Sequence, residues 1–259
     1  MPVRPLRYNV DEMWLRICAS VEEMGEEAAA QAAELLRSAL KAAPEVAIVA
    51  ATGTSQIPFL DALRRQPGIA WERTIFFHLD EYVGLPESHP ASFRRYLKQR
   101  IEERLKPRAF YYIRGDEPDP GVETRRLGAL IANHSIEVSF VGVGENGHLA
   151  FNDPPADFET TDPYLVVSLD RTCRLQQVRE GWFARLDDVP TRAISMSVKQ
   201  ILRARHIICL APDKRKAVAV RDCFGNGVSP LHPASILQTH PNCTVYLDLQ
   251  SASLLEKSP

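Results

Sequence analysis

Proton-transfer chemistry needs carboxylates and imidazoles held where water is scarce, and two stretches of this chain offer them. In the first, the apolar run ending Phe77-His78-Leu79 gives way to Asp80-Glu81-Tyr82 and continues to Phe93. A carboxylate released from a strand end into a cleft can act as a base whose pKa burial would raise, and Asp80 is placed for that. The plainer alternative is that Asp80 and Glu81 cap the next turn while Tyr82 and His89 fill space. In the second stretch, Gly142, Gly144 and Gly147 permit a tight backbone path around His148. Glu145, Asn146, Asn152 and Asp153 flank that histidine, and such neighbours can orient an imidazole and set its tautomer. A third stretch, Ala51-Thr52-Gly53-Thr54-Ser55, offers amides and hydroxyls that suit a phosphate. Ser and Thr also serve as ordinary helix caps, so this signal alone is weak. It matches neither the Walker pattern nor GxGxxG, which argues against nucleotide binding.

Each of these stretches must be positioned by a regular element. Ala, Glu, Leu and Met at helical spacing predict a long amphipathic helix over 21–43. Strands are predicted over 45–51, 74–79, 109–113, 138–143, 164–169, 193–196, 206–210 and 244–247. Helical intervals fall at 57–63, 92–105, 123–133, 173–186, 199–204, 214–223 and 234–239. Continuous Val/Ile/Phe strands alternating with helices indicate an α/β fold in three layers around a mostly parallel sheet. The three polar stretches follow predicted strands, where open α/β sheets bind ligands. The Pro-rich run from Asp153 to Pro163 lacks periodicity and reads as an active-site loop or lid.

Length and composition narrow the classes. At 259 residues, 45% hydrophobic and 25% charged, the chain can bury one large core and is expected to form a single domain over 1–259. A formal net charge of -2 provides no global positive field for nucleic acid or anionic membrane. The five cysteines form no CxxC pair, which fits a reduced, cytoplasmic compartment without structural zinc. Residues 1–8 lack the apolar run of a secretory signal, and charges interrupt every hydrophobic segment.

Read together, Asp80-Glu81-Tyr82-Val83-Gly84-Leu85-Pro86 with His89, Pro90, Ser92 and Phe93, and Gly142-Val143-Gly144 with Gly147-His148-Leu149-Ala150-Phe151-Asn152-Asp153-Pro154, resemble the two hallmark segments of the glucosamine-6-phosphate deaminase family. Weaker similarity runs through 210–217 and 233–240, covering roughly 45–255 in all. The resemblance implies a modified Rossmann-like sheet shared with ribose-5-phosphate isomerases and coenzyme A transferases. It implies an amino sugar phosphate as substrate, isomerised and deaminated to fructose 6-phosphate and ammonia with no metal or organic cofactor. Asp80 would carry the C2 proton to C1, His148 would open the pyranose ring, and Thr52, Gly53, Thr54, Ser55 and Lys216 would hold the phosphate. A lid-like segment would span about 154–188.

The chain departs from the family at defined positions. Asn146 stands where the family has an aspartate, and Asp153 replaces a glutamate. An amide at 146 cannot stabilise an imidazolium as a carboxylate does, so ring opening is expected to be less efficient unless Glu145 or Asp153 compensates. Thr54 replaces a second glycine, and Gln177 aligns with the family's lid arginine, leaving Arg171 or Arg174 as substitutes. The basic residues of the family's allosteric site are absent from 156–166, so no such activation is expected. Two alternatives stand beside the deaminase reading: a 6-phosphogluconolactonase-like hydrolase, and a non-catalytic sugar phosphate sensor. The sequence leaves homo-oligomerisation open.

Overall fold

The computed structural model describes residues 6–10 and 13–255; part of the segment read above for a secretory signal therefore lies outside the described residues. Among the described residues, eleven strands form two sheets. The larger takes β1 (Leu6–Val10), β2 (Met13–Cys18), β3 (Val46–Ala50), β4 (Thr74–His78), β6 (Ala109–Tyr111), β7 (Ile136–Gly142), β10 (His206–Ala211) and β11 (Cys243–Asp248) in the order β1-β2-β11-β10-β7-β3-β4-β6. Every pairing in it is parallel except β1 with β2. The smaller sheet is antiparallel and runs β5 (Asp80–Tyr82), β9 (Arg192–Met196), β8 (Tyr164–Ser168).

Two apolar layers sandwich the large sheet. On one face α1 (Val21–Ala42) and α2 (Ile57–Leu63) pack on Val46, Ile48, Phe76, Phe140 and Ile208. On the other, α5 (Pro120–Ile131), α7 (Val198–Leu202) and α8 (Ala217–Phe224) cover Val49, Phe77, Val141, Cys209 and Val245. Alternate residues of each strand thus face opposite layers, as the pleat demands. Ser20 starts α1 by accepting from the Glu23 amide, while Glu23 accepts from the Ala19 amide in return, a reciprocal cap.

The order of strands decides where the site can be. From β3 the chain moves outward through β4 and β6; it then crosses back to β7 and proceeds the other way through β10 and β11. Neighbouring strands β3 and β7 are therefore the switch point, and a crevice opens at their carboxyl ends. The three polar stretches leave β3, β4 and β7 there.

Two differences from the sequence reading have physical causes. The 164–169 and 193–196 runs belong to the small antiparallel sheet rather than to the main one, because β9 pairs with β5 immediately beyond β4. Burial marks the difference at β8, where only Tyr164 is buried and half-buried residues alternate with exposed ones, whereas β3 is buried throughout; β9 is buried from Ala193 to Met196 and carries no such mark. The 173–186 helix is shorter, running Arg171–Arg179 as α6. Gly181, at φ 81°, ends it with amide bonds from Gly181 to the Val178 carbonyl and from Trp182 to the Gln177 carbonyl.

Candidate active site

A cleft of about 520 Å³ opens at the switch point. Asp80, His148, Lys216 and the whole Thr52–Gly53–Thr54–Ser55 loop line it, joined by Gln176, Gln177 and Glu180. Residues from five separate stretches of sequence thus meet in one place.

Asp80 sits at the first position of β5, only 6% exposed, and its Oδ1 is buried with no hydrogen-bond partner. Burial, reinforced by the adjacent Glu81 carboxylate, pushes its pKa up to about 8. Glu81 has the opposite function. Its Oε1 accepts from the Tyr82 and Phe93 amides and its Oε2 from the Ser92 hydroxyl and the Arg94 amide, at 2.7–3.2 Å. Burial pushes Glu81 up to about 7 with those four donors pulling against it. Of the two acids, Glu81 anchors the start of α3 (Phe93–Leu97), as the plainer reading has it, and Asp80 faces the cleft.

His148 lies between two left-handed residues, Gly147 at φ 83° and Ala150, unusually for a residue with a side chain, at φ 52°. The imidazole Nδ1 lies 3.1 Å from Asp153 Oδ1. Burial opposes ionisation of Asp153, but the bonds to His148, Asn146 and the Asp170 amide prevail and hold its carboxyl below the usual range. The shortened acid therefore still reaches the ring. Asn146 does not touch the ring: its Oδ1 accepts from the His148 amide, and its Nδ2 donates to both Asp153 Oδ1 and Asp170 Oδ2 at 3.0 Å. Cys173 completes a cluster with His148 and Asp153 whose ligand atoms lie within 4.8 Å of one another. Its thiol is pushed well up by burial and the nearby carboxylates.

The 52–55 loop and Lys216 line the same cleft. Gly53 takes φ 102° with open space where a Cβ would sit, and its carbonyl accepts from the Tyr96 hydroxyl at 3.1 Å. Lys216 is 5% exposed, and burial lowers its pKa. It is the only Lys or Arg among the described residues that line the cleft.

The proposed substitutes for the lid arginine are elsewhere. Arg174 spends its guanidinium on the carbonyls of Leu186 and Val189, at 2.7–3.2 Å, tying down the chain after α6; Arg171 is exposed at the first position of that helix. Neither lines the cleft. Glu145 pairs with Arg179 at the rim. Gln177 accepts from the Tyr82 hydroxyl at 2.7 Å, and Gln176 accepts from the Glu145 amide at 2.9 Å. The sequence reading gives no part to Gln176 or Glu180. Their i, i+4 spacing in a predicted helix puts them on one face, but nothing in the sequence says that this face meets the cleft.

An open α/β sheet whose switch-point crevice holds a partnerless carboxylate, a carboxylate-paired histidine and a phosphate-type loop defines an enzyme of the open-sheet class. The model of the glucosamine-6-phosphate isomerase/6-phosphogluconolactonase family matches residues 19–246, and the chain belongs to that family. It is 34% identical over 236 residues to the glucosamine-6-phosphate deaminase of Exiguobacterium sibiricum, covering 91% of this chain and 92% of that one. It is 33% identical over 207 residues to the enzyme of that name from Streptococcus pneumoniae, covering 80% and 86%. A solved monomeric glucosamine-6-phosphate deaminase superposes with a TM-score of 0.84 at 28% identity, covering 93% of this chain and 99% of the other. The 6-phosphogluconolactonase of Trypanosoma brucei shares the fold, with a TM-score of 0.74 at 16% identity, covering 97% and 100%.

Proposed function

We propose that this chain converts glucosamine 6-phosphate to fructose 6-phosphate and ammonia, without a metal or organic cofactor, in a reduced cytoplasmic setting. The observation that carries the proposal is Asp80: a buried carboxylate with a partnerless oxygen, on the same cleft as a carboxylate-paired histidine and an anion loop. The named deaminase relatives support the substrate.

Reaction begins at the ring. His148 takes the proton of the C1 hydroxyl and delivers it to the ring oxygen, and the pyranose opens to the aldehyde. Asp153 holds the imidazole by its Nδ1. The C1 carbonyl then acidifies the C2 hydrogen. Asp80 removes that proton while the substrate's ammonium gives one to the C1 oxygen, leaving an enolamine; Asp80 then returns its proton to C1, which yields the protonated 2-imino sugar. Water adds to the imine carbon and ammonia departs. Thr52, Gly53, Thr54, Ser55 and Lys216 hold the phosphate, fixing the distance from anion to C2. Glu145 and Asn146 act through the His148 loop rather than on the sugar.

Asp153 also bears on the sensor alternative: with Asn146 in place of the family's aspartate, the histidine still has a carboxylate at its Nδ1. A direct assay separates the chemistries. Purified protein is expected to release ammonia and fructose 6-phosphate in equal amounts from glucosamine 6-phosphate, with little hydrolysis of 6-phosphogluconolactone beside it. Rapid lactone hydrolysis without ammonia would establish the hydrolase instead, and tight binding without turnover would establish the sensor.

A further inference from the structure

The end of the cleft that holds Lys216 also holds a carboxylate with no part in the scheme above. Glu180 caps α6 just before Gly181 turns the chain out of the helix, and it lines the cleft with Lys216 and the 52–55 loop. Both of its oxygens are fixed. Oε1 accepts from the Gln176 amide at 2.7 Å and Oε2 from the Trp182 indole at 3.2 Å. Each donor is itself held: Gln176 by the Glu145 amide, and Trp182 against Tyr96, whose hydroxyl bonds the Gly53 carbonyl. The carboxylate is thus built into the wall between the His148 loop and the anion loop. Since each carboxylate oxygen has two lone pairs, each keeps one acceptor position free.

Of the cations around Glu180, Lys216 is the one that lines the cleft; Glu180 heads the carboxylates that favour its charged form, ahead of Glu145 and Asp213, and it also favours that of Arg215 outside the lining. Beside it, Arg215 pairs with Asp213 and comes within 4.0 Å of Glu145, while Arg179 from α6 also pairs with Glu145. Asp80 and Tyr82 from β5, His148 with Asp153, Cys173 from α6 and Tyr96 from α3 are the other titratable groups on the adjoining elements. A phosphate dianion entering here meets one positive and one negative side chain. A monoanion brings instead a P–O–H donor that the carboxylate can accept.

We propose that Glu180 makes the anion end of the cleft selective for a phosphate that still carries a proton, the P–O–H donating to its carboxylate while Lys216 and the 52–55 loop take the remaining oxygens. This rests on reading the cleft as a sugar phosphate site. A phosphate ester loses its second proton near pH 6, by about one unit of charge, so affinity falls as pH rises through that region. Sulfate has no proton to donate in the same range and is rejected.

The test is an equilibrium titration of the intact protein with inorganic phosphate and with sulfate, below and above the second ionisation of phosphate. Phosphate is expected to bind at least about tenfold more tightly than sulfate at the lower pH, the worth of one charge-assisted hydrogen bond. In Glu180→Gln the preference and its pH dependence should vanish, and Glu180→Asp, which keeps a carboxylate, should recover part of both. Equal affinity for the two anions, no detectable binding of phosphate, or an unaltered preference in Glu180→Gln would overturn the proposal. Neither titration needs turnover. A protein that prefers phosphate but releases no ammonia contradicts only the deaminase reading, and one that releases ammonia without the preference contradicts only the role of Glu180.

Discussion

Asp80 combines two demands that pull apart. Burial that raises its pKa to about 8 makes it a stronger base once ionised, but leaves it mostly protonated at neutral pH. With saturating glucosamine 6-phosphate, kcat should therefore rise with pH and level off at or below about 8, since the bound substrate's ammonium favours the ionised form. A pH-independent kcat across that range would count against Asp80. Asn146 is explained by its neighbours rather than by the histidine. Its amide separates Asp153 from Asp170, so an aspartate there would add a third carboxylate to the cluster. Asn146→Asp is thus expected to lose roughly 1–3 kcal/mol of stability and some activity, read by denaturant unfolding and ammonia release. That reverses the expectation drawn from the family's aspartate. Gly144 has a steric reason: a Cβ there would overlap the His148 ring. Gly144→Ala should displace the imidazole and lower kcat more than it lowers stability.

At the scale of elements, the start of α3 depends on Glu81. Its four donors are the Tyr82, Phe93 and Arg94 amides and the Ser92 hydroxyl, all inside the protein. Glu81→Ala leaves them without an acceptor and should cost about 3 kcal/mol or more in unfolding free energy. Helix α6 is tied to β5 through the Tyr82–Gln177 bond, so Tyr82→Phe should cost about 1 kcal/mol while leaving the aromatic cluster with Phe93, Phe151 and Phe183 in place. The elements differ in how legible they are in the sequence. The fully buried runs of β3 and β4 and the Ala-rich α1 carry periodicity strong enough to be recognised unaided. By contrast, β5 is three residues long, too short for any pattern, and the end of α6 is set by one glycine inside a stretch that otherwise reads as helix. The same limit explains the arginines: Arg174 is spent on carbonyls fifteen and twelve residues away, a tertiary choice that spacing does not reveal.

For the whole molecule, strand order creates the site. Reversal between β3 and β7 opens the crevice, and the polar stretches after β3, β4 and β7 could be placed on one cleft from sequence because each follows a parallel strand. What sequence could not supply was the wall opposite, since α6 reaches the cleft through the small antiparallel sheet. The site also has a cost to the fold. Between about pH 4, where an unfolded aspartate ionises, and about 8, the native chain keeps the Asp80 proton that the unfolded chain releases, so stability falls as pH rises through this window. Asp80→Asn should therefore melt above the natural chain at pH 8, by a few degrees for roughly each kcal/mol gained, with the difference closing towards pH 4.

The central claim is that Asp80 moves the proton between C2 and C1, and hydrogen exchange reads that step directly. When fructose 6-phosphate and ammonium are incubated with the protein in deuterium oxide, proton NMR should show one of the two C1 hydrogens replaced by deuterium. Asp80→Asn should still bind the sugar phosphate and leave both hydrogens in place; exchange at an undiminished rate in Asp80→Asn would contradict the account.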